Sequence, residues 1–241
     1  MSSDSANNGG RRAAAGLLVR RECWALSRAG KALVAALAGG MGLVTFFGVH
    51  PFLAVSEPIP AKILVIEGWV RAYALRAAIV EFRKGGYQEV ITSGGVMDDD
   101  PSWPAGSTIA GWAAQRLARC GLAASLITPV PCSDPMRDRT YASALAVREW
   151  LEKNRPNVTA VDVLTVSTHA RRSRLLYQQA LGGKIRVGII SVPDADYDTR
   201  HWWRYSEGVR ETIGEAIAYA YARFFFWPPA TATDRAVHSD K

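Results

Sequence analysis

The chain has 241 residues, 49% hydrophobic and 21% charged, a composition that excludes fibrous and wholly disordered classes. A length of this order buries one sizeable core. The net charge of +7 is uneven: residues 1–31 hold Arg11, Arg12, Arg20, Arg21, Arg28 and Lys31 against Asp4 and Glu22, so the remainder is only mildly basic and no nucleic acid partner is expected.

In chain order, residues 1–10, "MSSDSANNGG", read as disordered, and 1–31 as a basic segment on the cytoplasmic side. Ala32–Val49 carries no charge and meets the rough threshold of about 18 apolar residues for a membrane span. We place an anchor over Ala32–Val55. The positive-inside rule keeps the N-terminus cytoplasmic and puts everything after about residue 56 outside the plasma membrane, in the periplasm of a diderm. A signal peptide cleaved near Ala54-Val55-Ser56 competes with this reading, as does a buried core helix. Ser56–Pro60 reads as a stiff linker, residues 61–227 as the folded body and 228–241 as a disordered tail.

Within the body, short branched runs alternate with helical patterns. Strands are expected at Lys62–Glu67, Glu89–Gly95, Ser125–Val130, Ala160–Ser167 and Lys184–Ser191. Between them lie a helix that stops at Gly85-Gly86, helices over Ile109–Cys120 and Arg139–Lys153, and a helix after His169. A long helix follows the aromatic stretch around Trp202-Trp203, and Phe224–Trp227 is a candidate for membrane-interface contact. Continuous apolar strands between helices imply a parallel sheet covered on both faces, a three-layer Rossmann-like α/β domain. We expect the strand order 3-2-1-4-5, which sets the ligand crevice beyond the carboxyl ends of the central strands.

The helix after the fourth strand is peculiar. It crowds Arg171, Arg172 and Arg174 into the end where the backbone dipole is already positive. A bound anion resolves the conflict, since amide N–H groups and guanidinium donors then act together. A solvated basic face is the plainer reading, and Arg174 then pairs with an acidic surface neighbour. Ser93, Gly94 and Gly95 end the second strand where backbone approaches a ligand closely, although any tight turn wants glycine too. His169 is placed for proton transfer beside such an anion, or merely caps the helix. Glu67, at the exit of the central strand, orients substrate or base if desolvated, or else rests on loop amides. Gly68, Thr140 and Thr168 complete the candidate anion-binding set.

Other signals are weak. Walker, G-x-G-x-x-G and G-x-S-x-G motifs are absent, which leaves Ser93 or Ser167 poor candidates for a nucleophile. Asp98-Asp99-Asp100 offers hard-cation ligands but sits in a loop where a solvated acidic tip is commoner. Cys23, Cys120 and Cys132 have no zinc-ligand spacing, so no metal site is expected; Cys120 and Cys132 read as separate residues, or as a disulfide in an exported body.

The order and spacing of "ILVIEGW", "ITSGG", "RTYASA" and "VSTHARRS", behind an N-terminal anchor, resemble the SanA/ElyC/YdcF family over roughly Ala61–Val192. The resemblance implies a Rossmann-like domain tied to cell-envelope and peptidoglycan integrity, and it maps His169 and Arg172 onto signature positions. One cytosolic branch binds S-adenosylmethionine, a cofactor that an exported domain has little means to meet; the cofactor here is left unknown. The sequence departs from the family pattern Thr-x-x-Asn-Ala at Thr140-Tyr141-Ala142-Ser143-Ala144 and lacks a glycine pair at Glu67-Gly68-Trp69. The resulting expectation is an anchored envelope protein, a hydrolase or transferase acting on a small anionic, phosphate-bearing precursor. A non-catalytic binding or assembly factor is the alternative, and the oligomeric state is left open.

Overall fold

The computed structural model describes residues 12–13, 18–19, 26–97, 104, 107–133 and 138–228. The acidic run Asp98–Asp100, Cys23, residues 1–10 and the tail from 229 lie outside the described residues. The chain divides into two units, Met1–Phe46 and Phe47–Lys241.

In the first unit, Arg12–Ala13 and Leu18–Val19 pair antiparallel. The apolar run then lies on helix α1, Arg28–Leu53, whose 26 residues include an 18-residue stretch with a mean hydropathy of 2.0, long and apolar enough to cross a membrane. Leu33, Leu37, Met41 and Val44 are all exposed, which sets this stretch apart from a core helix.

The second unit takes in the last two turns of α1, from Phe47, and the α/β body. Its elements are β1 (Ile63–Glu67), α2 (Ala72–Gly85), β2 (Glu89–Gly94), α3 (Ile109–Arg119), β3 (Ile127–Pro131), α4 (Arg139–Asn154), β4 (Ala160–Val166), α5 (Ala170–Leu181), β5 (Arg186–Val192) and α6 (Ser206–Phe224). All strand pairs in the sheet are parallel, in the order β3-β2-β1-β4-β5, as expected from the sequence. β1 and β4 are buried along their whole length because helices cover both faces.

Side chains alternate across the sheet with period two. Leu64, Ile66, Val90 and Leu164 turn to the layer of α2 and α3, where they meet Leu75, Ile79 and Leu117. Ile63, Val65, Ile91 and Val163 turn to the layer of α4 and α5, where they meet Val147, Leu151, Tyr177 and Ala180. α6 packs outside this second layer, on α5 and on the turn after β4. Each edge is protected. β3 carries Pro129 and Pro131, and β5 is met by Glu57, which exchanges backbone hydrogen bonds of 2.8 and 3.1 Å with Ile189. The segment read as a linker is thus seated on the body: Ile59 N–H also donates to the buried Asp162 carboxylate at 3.0 Å.

Candidate functional site

The period that sends Ile63 and Val65 toward α5 sends Glu67 and Ser93 there as well. α5 receives them with Ser173 and Tyr177, four residues apart on its inner face. Ser173 Oγ lies 3.0 Å from both carboxylate oxygens of Glu67, and Tyr177 OH lies 2.9 Å from Ser93 Oγ. Glu67 is only 3% exposed, and burial raises its pKa above the ordinary carboxylate value, although the nearby charges of His169 and Arg172 work in the opposite direction.

β4 leaves the sheet through Ser167, whose φ of +45° is left-handed and strained for a non-glycine residue. Its hydroxyl lies 3.2 Å from Tyr197 OH and 3.4 Å from His50 Nε2, a buried polar triangle that ties the end of α1 to the strand exit. One turn of 3₁₀ helix, Ser167–His169, then brings the chain into α5.

The three arginines of that helix part company, because successive helical positions differ by about 100°. Arg172 turns inward. Its Nε and Nη2 grip the Glu215 carboxylate of α6 at 2.7 and 2.8 Å, and its Nη1 donates to Thr140 Oγ1 at 3.3 Å. Arg171 donates to the Phe52 carbonyl near the end of α1, with its guanidinium 3.9 Å from the Phe52 ring centre. Arg174 pairs with Glu57 and donates to Val187 O at 3.3 Å. Each cation therefore has an acceptor inside the chain, and together they fasten α6, α1 and the 56–60 segment to one helix start.

His169 joins the same network. Its Nδ1 lies 3.0 Å from Glu215 and its Nε2 lies 3.1 Å from Glu211, with the Trp69 ring 4.6 Å away. Burial alone lowers the pKa of the imidazolium, but hydrogen bonds to Glu211 and Glu215 outweigh it and raise the value to about 9. Burial likewise opposes ionisation of Glu215, yet hydrogen bonds from His169 and Arg172 hold it at about 2. At neutral pH the seam is a fully ionised set.

Beside the seam is a cleft of about 270 Å³. Asp138, Arg139, Thr140 and Arg172 give it a polar side with two cations against one carboxylate, and Leu176, Tyr221 and Phe226 an apolar one. α4 begins there, behind Asp138, whose side chain makes no capping hydrogen bond. Amides of a first helical turn attract negative charge.

The fold brings Glu67, Thr140, His169 and Arg172 into one neighbourhood, with Thr168 fully buried next to His169. Ser93 reaches the layer above but is engaged with Tyr177. Arg171 is directed to α1. Gly68 and Gly94 meet a packing demand: a Cβ on Gly68 would lie 2.7 Å from Ser93 O, and one on Gly94, at φ +153°, 2.7 Å from the Ile109 side chain. Gly95 accepts the Ile109 N–H at 2.8 Å. Sequence reading missed Ser173, Tyr177, Glu211 and Glu215. The signal for the last two was present, since 211 and 215 share a helix face. Cys120 is exposed and Cys132 buried, and the two are not joined. Among the described residues no group of three potential metal ligands is found.

Fold and site together define an α/β protein with a five-stranded parallel sheet, helices on both faces and one apolar N-terminal helix. No protein-family model matches the sequence, and no curated protein or solved structure matches it.

Proposed function

We propose that this is a single-pass membrane protein of the cell envelope, akin to the SanA/ElyC/YdcF proteins, whose body binds a small phosphate-bearing anion at the cleft and acts on it chemically. The observation that carries the reading is Arg172. Glu215 holds it rigid, and it shares the cleft wall with Arg139, Thr140 and the uncapped start of α4. Planar guanidinium donors and helix-start amides suit phosphate oxygens. His169 stands behind the cleft wall, its Nδ1 3.3 Å from Arg172 Nη2; charged at neutral pH, it is the acid that protonates the leaving oxygen as water attacks phosphorus, and Glu211 and Glu215 stabilise the charged ring.

The anchor reading gains support from the end of α1. His50 and Leu53 are buried in the body, and Phe52 holds Arg171, so cleavage near residue 55 would remove built parts of the domain. The N-terminal basic cluster favours an N-terminus in the cytoplasm and a body outside. A reporter fused after Lys241 that is active only in the cytosol overturns that orientation.

A second reading, ligand binding without turnover, rests on one feature: both ring nitrogens of His169 are already directed at carboxylates. Phosphate release from a panel of phosphomonoesters and lipid pyrophosphates, using the full chain in detergent micelles, separates the two. The enzyme reading expects turnover that His169→Gln abolishes while binding of the same compound persists, and that Arg172→Gln loses along with binding. Binding with no turnover by any preparation selects the second reading.

A further inference from the structure

α6 is turned inside out for a helix facing water. Its inward residues include Thr212 and Glu215, whereas Ile213, Ile217, Tyr221 and Phe224 point outward at steps of three and four. With Trp227 just beyond, these side chains are between 49% and 85% exposed. Beyond its first turn, no exposed residue of α6 carries a carboxylate. Contiguous exposed apolar surface of this kind marks an interaction site.

We propose that the outward face of α6 lies in the membrane interface, so that the body rests on the bilayer instead of hanging from it. This rests on reading α1 as an anchor. Three observations favour lipid as the occupant. First, the last two turns of α1 belong to the body, with His50 and Leu53 buried, so the chain enters the domain directly from the apolar run. Second, α6 lies at that same end: the Phe52 and Tyr219 rings meet edge to face, with centres 5.6 Å apart. Phe47 and Phe52 are themselves half exposed and add to the apolar surface at that end of the body. Third, the composition suits a headgroup boundary. Phe224, Phe225 and Trp227 cluster at one end, and exposed Arg204, Arg210 and Arg223 provide cations for lipid phosphates. Tyr221 and Phe226 also line the cleft, so seating α6 on lipid brings the cleft to the membrane surface.

The test uses the full chain carrying Cys23→Ser and Cys120→Ser, reconstituted into vesicles of phosphatidylethanolamine and phosphatidylglycerol. Single reporter cysteines, Ile217→Cys, Phe224→Cys, Glu152→Cys and Met41→Cys, carry an environment-sensitive fluorophore. Docking predicts blue-shifted emission at 217 and 224 and quenching there by nitroxide-labelled lipid, with Glu152→Cys neither shifted nor quenched. Met41→Cys, within the apolar helix, reports the anchor separately. If it is quenched while 217 and 224 behave like 152, the docking proposal fails and the anchor stands; if it is not quenched, the anchor reading fails first. Blue-shifted 217 and 224 that lipid nitroxides leave unquenched, with energy transfer between differently labelled copies, overturns lipid in favour of a second copy of the chain.

Discussion

The two covers of the sheet are built on opposite principles. On one side α2 and α3 bury only apolar side chains: Ala74, Leu75, Ala78, Ile79 and Phe82 from α2, and Ala110, Ala113 and Leu117 from α3. On the other side α5 buries Ser173 and Tyr177 against Glu67 and Ser93, and it is roofed by α6 through Glu215, Arg172 and His169. The apolar cover is held by contact area, which tolerates small misplacements. The polar seam is held by directed charge pairs, in which each member is costly to leave alone. A buried ion pair contributes little stability over an apolar pair of equal volume. Its presence along one cover, at the carboxyl ends of β1 and β4, is a departure of the kind that accumulates at functional sites.

The most severe test of this contrast removes one member of the seam. Arg172→Ala leaves the Glu215 carboxylate, 9% exposed, without its bidentate partner. A loss of about 3–5 kcal/mol is expected, read as thermal unfolding of the full chain in detergent by tryptophan fluorescence. Arg172→Lys should recover only part, since a single ammonium cannot reproduce the two-point grip. The double variant Arg172→Leu/Glu215→Leu converts this part of the seam to the chemistry of the other cover and should regain most of the stability. If the double variant is as unstable as Arg172→Ala, the two covers do not differ in the way described.

The apolar cover was legible in the sequence and the polar one was not. Buried parallel strands read as branched apolar runs, which is why all five strands and their order were foreseen. The boundary error at β3, which starts at Ile127 instead of Ser125, comes from a 3₁₀ turn over Ala124–Leu126 that uses the same apolar residues. Glu67 and His169 could be nominated because strand exits are where α/β folds place chemistry, Arg172 because cations crowd a helix start that is already positive, and Thr140 through the family resemblance at its helix start. Their partners could not. Arg172 and Glu215 are 43 residues apart, and no local pattern pairs a cation on one helix with a carboxylate on another. The same limit hid the fate of the arginines: the dipole conflict at α5 was visible, but the acceptors that resolve it come from α1, the 56–60 segment and α6.

Acidity gives a milder way to sharpen the contrast, because the seam holds His169 and Glu215 far from their ordinary values in opposite directions. His169 is raised from 6.5 to about 9 in the fold, so its stabilisation is complete below 6.5 and drains away as the pH rises through 9. Glu215 is lowered from 4.5 to about 2, so its contribution is complete above 4.5 and is lost as the pH falls through 2. Between these limits the seam is fully formed. Raising the pH from 6.5 to 9.5 should cost the wild type on the order of 2 kcal/mol more than it costs His169→Gln. Hydrogen exchange should locate the loss in α5 and α6, with α2 and α3 unaffected until global unfolding.

The smallest effects separate the remaining arginines from Arg172. Arg171→Ala removes a hydrogen bond to Phe52 O and a guanidinium stacked on its ring, both at the junction of α1 with the body, and should cost about 1 kcal/mol. Arg174→Ala breaks a pair whose Glu57 side chain is 57% exposed, and should cost about 0–1 kcal/mol, less still at high salt. If all three arginines served one bound anion, the three substitutions would weaken phosphate binding alike. The observed partners predict instead that Arg172→Gln alone abolishes binding, that Arg171→Ala loosens the end of α1 to exchange without changing affinity, and that Arg174→Ala does neither. Equal losses of affinity across the three would mean that the in-chain acceptors yield to ligand, and that the helix start acts as a single cationic cup.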